Sequence, residues 1–212
     1  MPRLMDLGLD QLTNMIIDMA NLAEKAIRTA MEIFEENRLI NSESVFQISE
    51  QLRFLREETS NLAVEILARY QPLARDLRFV KSCIDIAYDL SRFGRYAYDI
   101  SLTTKWLGSL SSCDLRVPIE TSEKALAMIR KSLLAFKNKD AELAKTLPAD
   151  DNVIDHIYSG TLANVLKDER ITKQCALAVA LLMRHIERIA DHACYIADAV
   201  VYIVDGEKLG LH

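Results

Sequence analysis

Helix-breaking residues are scarce in this chain: 6 Gly and 4 Pro serve 212 residues. So few punctuators exclude frequent chain reversals. The remainder is dominated by Ala, Leu, Glu, Arg, Lys and Met, which predicts an all-α protein. Long apolar runs are also missing. The longest, Ala176 to Met183, is far too short to span a bilayer, and Met1–Asp6 lacks the apolar run of a signal peptide. The expectation is a cytoplasmic protein that meets a membrane only through partners. Cys83, Cys113, Cys175 and Cys194 are widely separated, with no CxxC pair and no Cys/His zinc spacing. They are expected to be small packed thiols in a reduced compartment. With 26 basic against 31 acidic residues and a net charge of -5, the chain has no excess of positive charge to bind nucleic acid. A Gly-rich phosphate loop and a dense Arg cluster are both absent. So is the E-x-x-H spacing of carboxylate-bridged metalloenzymes, because Glu187 and His192 fall off a common face. Tyr70, Tyr88, Phe93, Tyr96 and Tyr98 recur at helical spacing, which suits packing rather than base stacking.

What is present is a strong helical period. A first helix is predicted from Leu7 to Asn37, with Leu12, Met15, Ile16, Met19, Leu22, Ala23, Ala26 and Ile27 on one face. Asn41–Ser44 marks a turn and cap before a second helix to Arg69. Pro72 is expected to open a third helix that runs to Trp106, and Gly108–Asp114 reads as a linker. The plan then repeats. A fourth helix covers Pro118 to Lys137, and a short helical piece lies between Asp140 and Thr146. A fifth helix opens at Pro148 with Asp150 or Asp151 as its cap. A sixth runs from Ile171 to Val204 and stops at Gly206.

An ungapped internal repeat supports the division. Asp89–Ile100 parallels His185–Ile196, so that Arg92 matches Arg188, Gly94 matches Ala190 and Ala97 matches Ala193. The expected architecture is two tandem three-helix bundles, six helices in all, over residues 1–110 and 111–212.

Near the end of the second copy, Glu187, Asp191 and Asp198 share one helical stripe, since positions four and eleven apart lie within about 40° of each other. Like charges so aligned repel. A positive group must offset them: a neighbouring Arg, of which Arg184 and Arg188 are at hand, or water, or a metal ion.

At these residues the chain resembles the PhoU family. The resemblance spans nearly the whole length and is carried by four stretches: Leu7–Leu12 before a Met- and Ala-rich helix, Tyr70–Arg78 (QP-L-ARDLR), Asp150–Asp155, and Ile186–Ala193 (IERIADHA) followed by a closing Val-Asp-Gly-Glu. It implies a non-enzymatic cytoplasmic regulator that couples inorganic phosphate uptake to phosphate-responsive signalling. The partners it implies are a phosphate transporter subunit and a sensor histidine kinase, and the assembly a homodimer. It further implies multinuclear iron or zinc clusters on E/D-x-x-x-D motifs. Glu187 and Asp191 match the motif's acid pair and Asp198 the acid beyond it. Asp151 and Asp155, four apart on the fifth helix, are the expected donors from a second element, with His192 as a further candidate.

The first copy departs from that pattern. Ser91, Arg95 and Leu102 stand where the motif has its acids, and a guanidinium repels a cation. Any metal is therefore expected on the second bundle alone. Arg95 is expected to pair with Glu57 or Glu58 in place of the metal charge, and Asp85, Asp89 and Asp99 to form a salt-linked or inter-bundle face. Arg75, Asp76 and Arg78 are expected to serve helix capping. The alternatives are a PhoU-like regulator of another ion or metabolite transporter and, more remotely, a carboxylate-bundle metalloenzyme.

Overall fold

In the computed structural model, residues 4–35 and 42–210 are described. Among them there are six long helices, one single helical turn, and no strand. The elements are α1 (Leu4–Glu35), α2 (Ser42–Tyr70), α3 (Ala74–Leu107), α4 (Arg116–Asn138), α5 (Ala141–Ala144), α6 (Leu147–Lys167) and α7 (Lys173–Asp205). The first three helices pack on one another, as do α4, α6 and α7, and α3 lies along α7. These are two three-helix bundles built on a repeated plan.

The apolar period explains each face. On α1, Leu12, Ile16, Met19, Ala23, Ala26, Ile27 and Ala30 are fully or almost fully buried and recur every three or four residues. The long helices α3 and α7 carry apolar residues on two sides, one for their own bundle and one for each other. One hydrophobic core therefore runs without a break through both bundles.

The α3–α7 seam is antiparallel, and its polar contacts show a constant register. Arg78 donates to the Ile203 carbonyl at 3.3 Å, Ser82 to Ala199 O at 3.4 Å, and Asp89 meets His192 at 2.8 Å. At the far end, the Gln174 amide donates to the carbonyls of Leu107 and Ser109. The internal repeat makes this seam quasi-symmetric. Asp89 corresponds to His185 and Tyr96 to His192, so the Asp89–His192 contact and the Tyr96–His185 contact (ring centroids 6.1 Å apart) are equivalent rungs. Between them, Tyr96 Oη and His192 Nε2 are 3.2 Å apart.

Several boundaries differ from expectation. Pro72 precedes α3 instead of opening it; the chain reverses through Gln71 at φ 47° and Leu73 is the N-cap. Asp150 and Asp151 lie inside the first turns of α6, whose cap position is Thr146, because Pro148 already sits within the helix. Thr172 caps α7 by accepting from Cys175 N, and Gly206, at φ 83°, ends it as expected. Arg78 does cap, but it caps the C-terminal end of α7, where a cation suits the helix dipole. The expected end of the first helix at Asn37 and the turn at Asn41 lie outside the described residues.

The cysteine expectation needs a larger correction. Cys113 and Cys175 form a disulfide with Cα atoms 5.2 Å apart, within the range such bonds require. Only Cys83 and Cys194 are buried free thiols. Cys113 belongs to the segment between α3 and α4, not to an apolar helical face, and the fold returns the start of α7 to that segment.

Gly94 shows how closely α2 and α3 approach. A Cβ there would stand 2.6 Å from Leu52 Cδ1 and 3.2 Å from the Ser49 Cα. Leu52 is fully buried, and the Ser49 Cα is backbone that no rotamer change can move aside. Gly94→Ala gains about 1 kcal/mol of helix propensity, against an overpacking penalty of about 1–3 kcal/mol. We expect a net loss in urea unfolding. A variant more stable than the parent would show that the α2–α3 contact is looser than described.

Candidate functional site

Helices α6 and α7 are joined by a short turn and run antiparallel, which brings the early residues of α6 against the middle of α7. Asp151 and Asp155 thereby face Glu187 and Asp191. Each of Asp155, Asp191 and Glu187 acts electrostatically on Asp151. Four of the five predicted acids thus gather on one face of the second bundle. Asp198 does not join them. It lies eleven residues beyond Glu187, about 16 Å along the helix. Its carboxylate accepts from Leu209 N at 2.5 Å, and it lines a cavity of about 670 Å³ with Lys81, Asp85 and Asp89 of α3. There it fastens the C-terminal segment.

The repulsion within the cluster is offset chiefly by arginine. Glu187, only 8% exposed, accepts from Arg184 at 2.8 Å and from Arg188 through both of its oxygens at 2.9 and 3.1 Å. Arg188 also reaches Asp191 at 2.8 Å. One guanidinium thus spans the i and i+4 acids of the motif, and its hydrogen bonds to Glu187 raise its own affinity for the proton.

Asp151 has no arginine among the described residues; a hydrogen bond with the Cys194 thiol is the one contact that lowers its pKa. Its Oδ1 is buried and without a hydrogen-bond partner. Burial first, and then the charges of Asp155, Asp191 and Glu187, push its pKa up to about 6. The Cys194 thiol lies against the same carboxylate; burial, then Asp151 and Asp191, raise its pKa well above the usual range. Burial, then Glu187, also raise Asp191, while Arg188 opposes the shift.

His192 is absent from this face. Its ring points into the seam, with Nδ1 on Asp89 and Nε2 on the Tyr96 hydroxyl. Asp89 is accordingly an inter-bundle residue, its pKa raised by burial and lowered by His192.

The equivalent face of the first bundle is built differently. Ser91 donates to the Tyr88 carbonyl at 2.7 Å. Arg95 pairs with Asp99 at 3.0 Å, one turn along its own helix, and not with Glu57 or Glu58. Glu57 is held instead by Arg53 at 3.0 Å. An i,i+4 partner forms with little loss of side-chain freedom, so the local pair prevails over the cross-helix one.

Carboxylates are the right donor type for a hard cation, and an orphaned, buried Asp151 oxygen is what such an ion would satisfy. Yet with Arg188 lying across Glu187 and Asp191, no three candidate ligands among the described residues converge on one point. The donors fit a metal; the present side-chain arrangement favours the guanidinium.

The fold and this face define a class: tandem helical bundles with an acidic surface on the second copy. A family model described as the PhoU domain matches residues 16–104 and again 119–200. The chain therefore belongs to the PhoU family. It is 30% identical, over 94% of its length and 92% of the relative's, to a protein of Aquifex aeolicus named as a phosphate-specific transport system accessory protein PhoU homolog. A protein of the same description from Clostridium acetobutylicum is 24% identical over 99% of this chain and 98% of its own. The crystal structure of PhoU from Pseudomonas aeruginosa superposes with a TM-score of 0.87 at 27% identity, covering 95% of this chain and 99% of that one.

The Asp151 environment has a measurable pH consequence. The folded protein holds the Asp151 proton to about pH 6, whereas an unfolded chain releases it near about 3.9. Between these values the native state binds more protons, so this group's contribution to stability falls as pH rises. In chelator-treated protein, Asp151→Asn should gain stability relative to the parent chiefly between pH 4 and 6. A parent–variant difference that stays flat from pH 4 to 7 would refute the burial of this charge.

Proposed function

We propose that this protein is an accessory regulator of phosphate-specific transport. It acts without catalysis, as a helical adaptor that docks in the cytoplasm on a phosphate transporter subunit and a sensor histidine kinase, and it represses phosphate-responsive signalling when phosphate is plentiful. The observation that carries this reading is membership of the family along two full repeats, with relatives of that description matched nearly end to end. Among the described residues no helix is long and apolar enough to cross a membrane, in keeping with a role at the membrane through partners. A homodimer is part of the proposal, since exposed apolar side chains such as Leu177 and Leu181 remain on α7. Deleting the gene in cells grown with ample phosphate should derepress phosphate-responsive genes, and the tagged protein should co-purify with a transporter subunit or kinase. A normal phosphate response together with no such partner would contradict the reading.

The second part of the proposal is a multinuclear iron or zinc site on the second bundle only. Its donors are Asp151, Asp155, Glu187 and Asp191; Asp198 serves the C-terminal segment instead. Arg188 is the competitor, a built-in counter-charge that a cation must displace. Equilibrium dialysis of metal-free protein tests this. Glu187→Ala/Asp191→Ala should weaken Zn(II) or Fe(II) binding by roughly tenfold or more, whereas Arg188→Ala should strengthen it. Equal binding by all three chains would remove the site.

A further inference from the structure

We propose that Cys113–Cys175 is a thiol–disulfide exchange site for a protein dithiol, and that its opening frees residues 111–115 of the inter-bundle segment from their covalent tie to α7. The inference is independent of the regulatory reading and of the acidic face. It starts from placement. The bond does not staple two elements within the core; it ties the segment that joins the bundles to the first turn of α7, across 62 residues of sequence. It lies in a groove of about 930 Å³ whose wall includes Ser112, Asp114, Pro118, Asn164 and Thr172. A folded partner could present a thiol there without unfolding the bundle.

The two sulfurs differ in a way that gives the reaction a direction. Cys175 is only 7% exposed, while Cys113, in the inter-bundle segment, is the less buried residue of the pair. An attacking thiolate approaches along the S–S axis, and the proposed attack is on the Sγ of Cys113, the less buried residue. The departing sulfur is then Cys175, the third residue of a long helix whose Thr172 cap accepts from Cys175 N at 3.2 Å. A thiolate in that first turn is stabilised by the helix N-terminus, which makes it the better leaving group. The partner's thiolate forms a bond to Cys113 Sγ, the Cys113–Cys175 bond breaks, and its electron pair leaves on Cys175. The partner's second thiolate then attacks the first sulfur of its own pair, and the electron pair of the mixed disulfide returns to Cys113. The two protons from the dithiol end on Cys113 and Cys175, and the partner ends as a disulfide. The reverse sequence, with a disulfide-bearing partner, recloses the bond.

What changes is local. Gln174 still holds the carbonyls of Leu107 and Ser109, so the start of the segment stays docked while residues 111–115 lose their covalent tie. The other two cysteines, Cys83 and Cys194, are buried and stand outside the reaction.

The test uses the full chain, purified without reductant and incubated with reduced thioredoxin as the probe dithiol. Alkylation and mass spectrometry should label Cys113 and Cys175 but not Cys83 or Cys194. Hydrogen exchange should rise about fivefold or more in residues 111–115 and the first turn of α7, and not in α1–α3. Cys113→Ser/Cys175→Ser should reproduce that exchange pattern with no probe. A thioredoxin lacking its resolving cysteine should be trapped on Cys113. A bond that resists the probe until denaturant is added, trapping on Cys175, or exchange that is unchanged by reduction would each overturn the proposal.

Discussion

The antiparallel seam between α3 and α7 is the constraint on which the rest of the molecule depends. Each three-helix bundle leaves one long helix apolar on its outer side, and burying those two surfaces against each other is the main favourable term available to a chain of this kind. The seam is not wholly apolar, however. Asp89, His192 and Tyr96 form a buried polar chain at its centre. A one-turn slip of α7 would leave these groups in an apolar layer without partners, at a penalty of about 1–3 kcal/mol for each. The polar rungs thus set the register, while the hydrophobic faces supply the affinity.

That register decides which side of each long helix is left for chemistry. With the seam face of α7 occupied, Glu187 and Asp191 turn towards α6, where Asp151 and Asp155 meet them. The same position in the first bundle carries Ser91 and Arg95, both engaged within α3. The repeat partners Arg92 and Arg188 have diverged likewise. Arg92 lies 4.9 Å from the Tyr96 ring and hydrogen-bonds its hydroxyl, while Arg188 bridges two carboxylates. One scaffold duplicated, with its side chains reassigned, gathers carboxylates on the second bundle where the first carries Ser91 and an Arg95–Asp99 pair.

Much of this was legible in the sequence because helical period and an ungapped repeat are local patterns. They placed the six long helices and matched Asp89 with His185. The inward-facing Asp89 was legible only as one of two readings, since a solvated and an inter-bundle acid have the same spacing. Asp198 shares the stripe of Glu187, but the rise along the axis carries it to the C-terminal segment, and angular alignment does not show what it meets there. Arg95 finding Asp99 rather than Glu57 turns on the lower entropy of a one-turn pair, which spacing alone does not rank. The Cys113–Cys175 bond left only one trace, that Cys113 sits in a Ser-rich linker and not on an apolar face. Its partner is set by where the fold returns the chain, 62 residues later.

The central claim is the proposed asymmetry: a carboxylate face on the second bundle that would admit a cation in place of Arg188, and no such face among the described residues of the first. Crystals of the full chain soaked in a zinc or iron salt, with anomalous data collected at the metal edge, test it most directly. The account predicts anomalous density among Asp151, Asp155, Glu187 and Asp191, with the Arg188 guanidinium turned out of its contact with Glu187. Density on the Ser91–Arg95 face, or a metal held at Asp198 with Arg188 undisturbed, would contradict it.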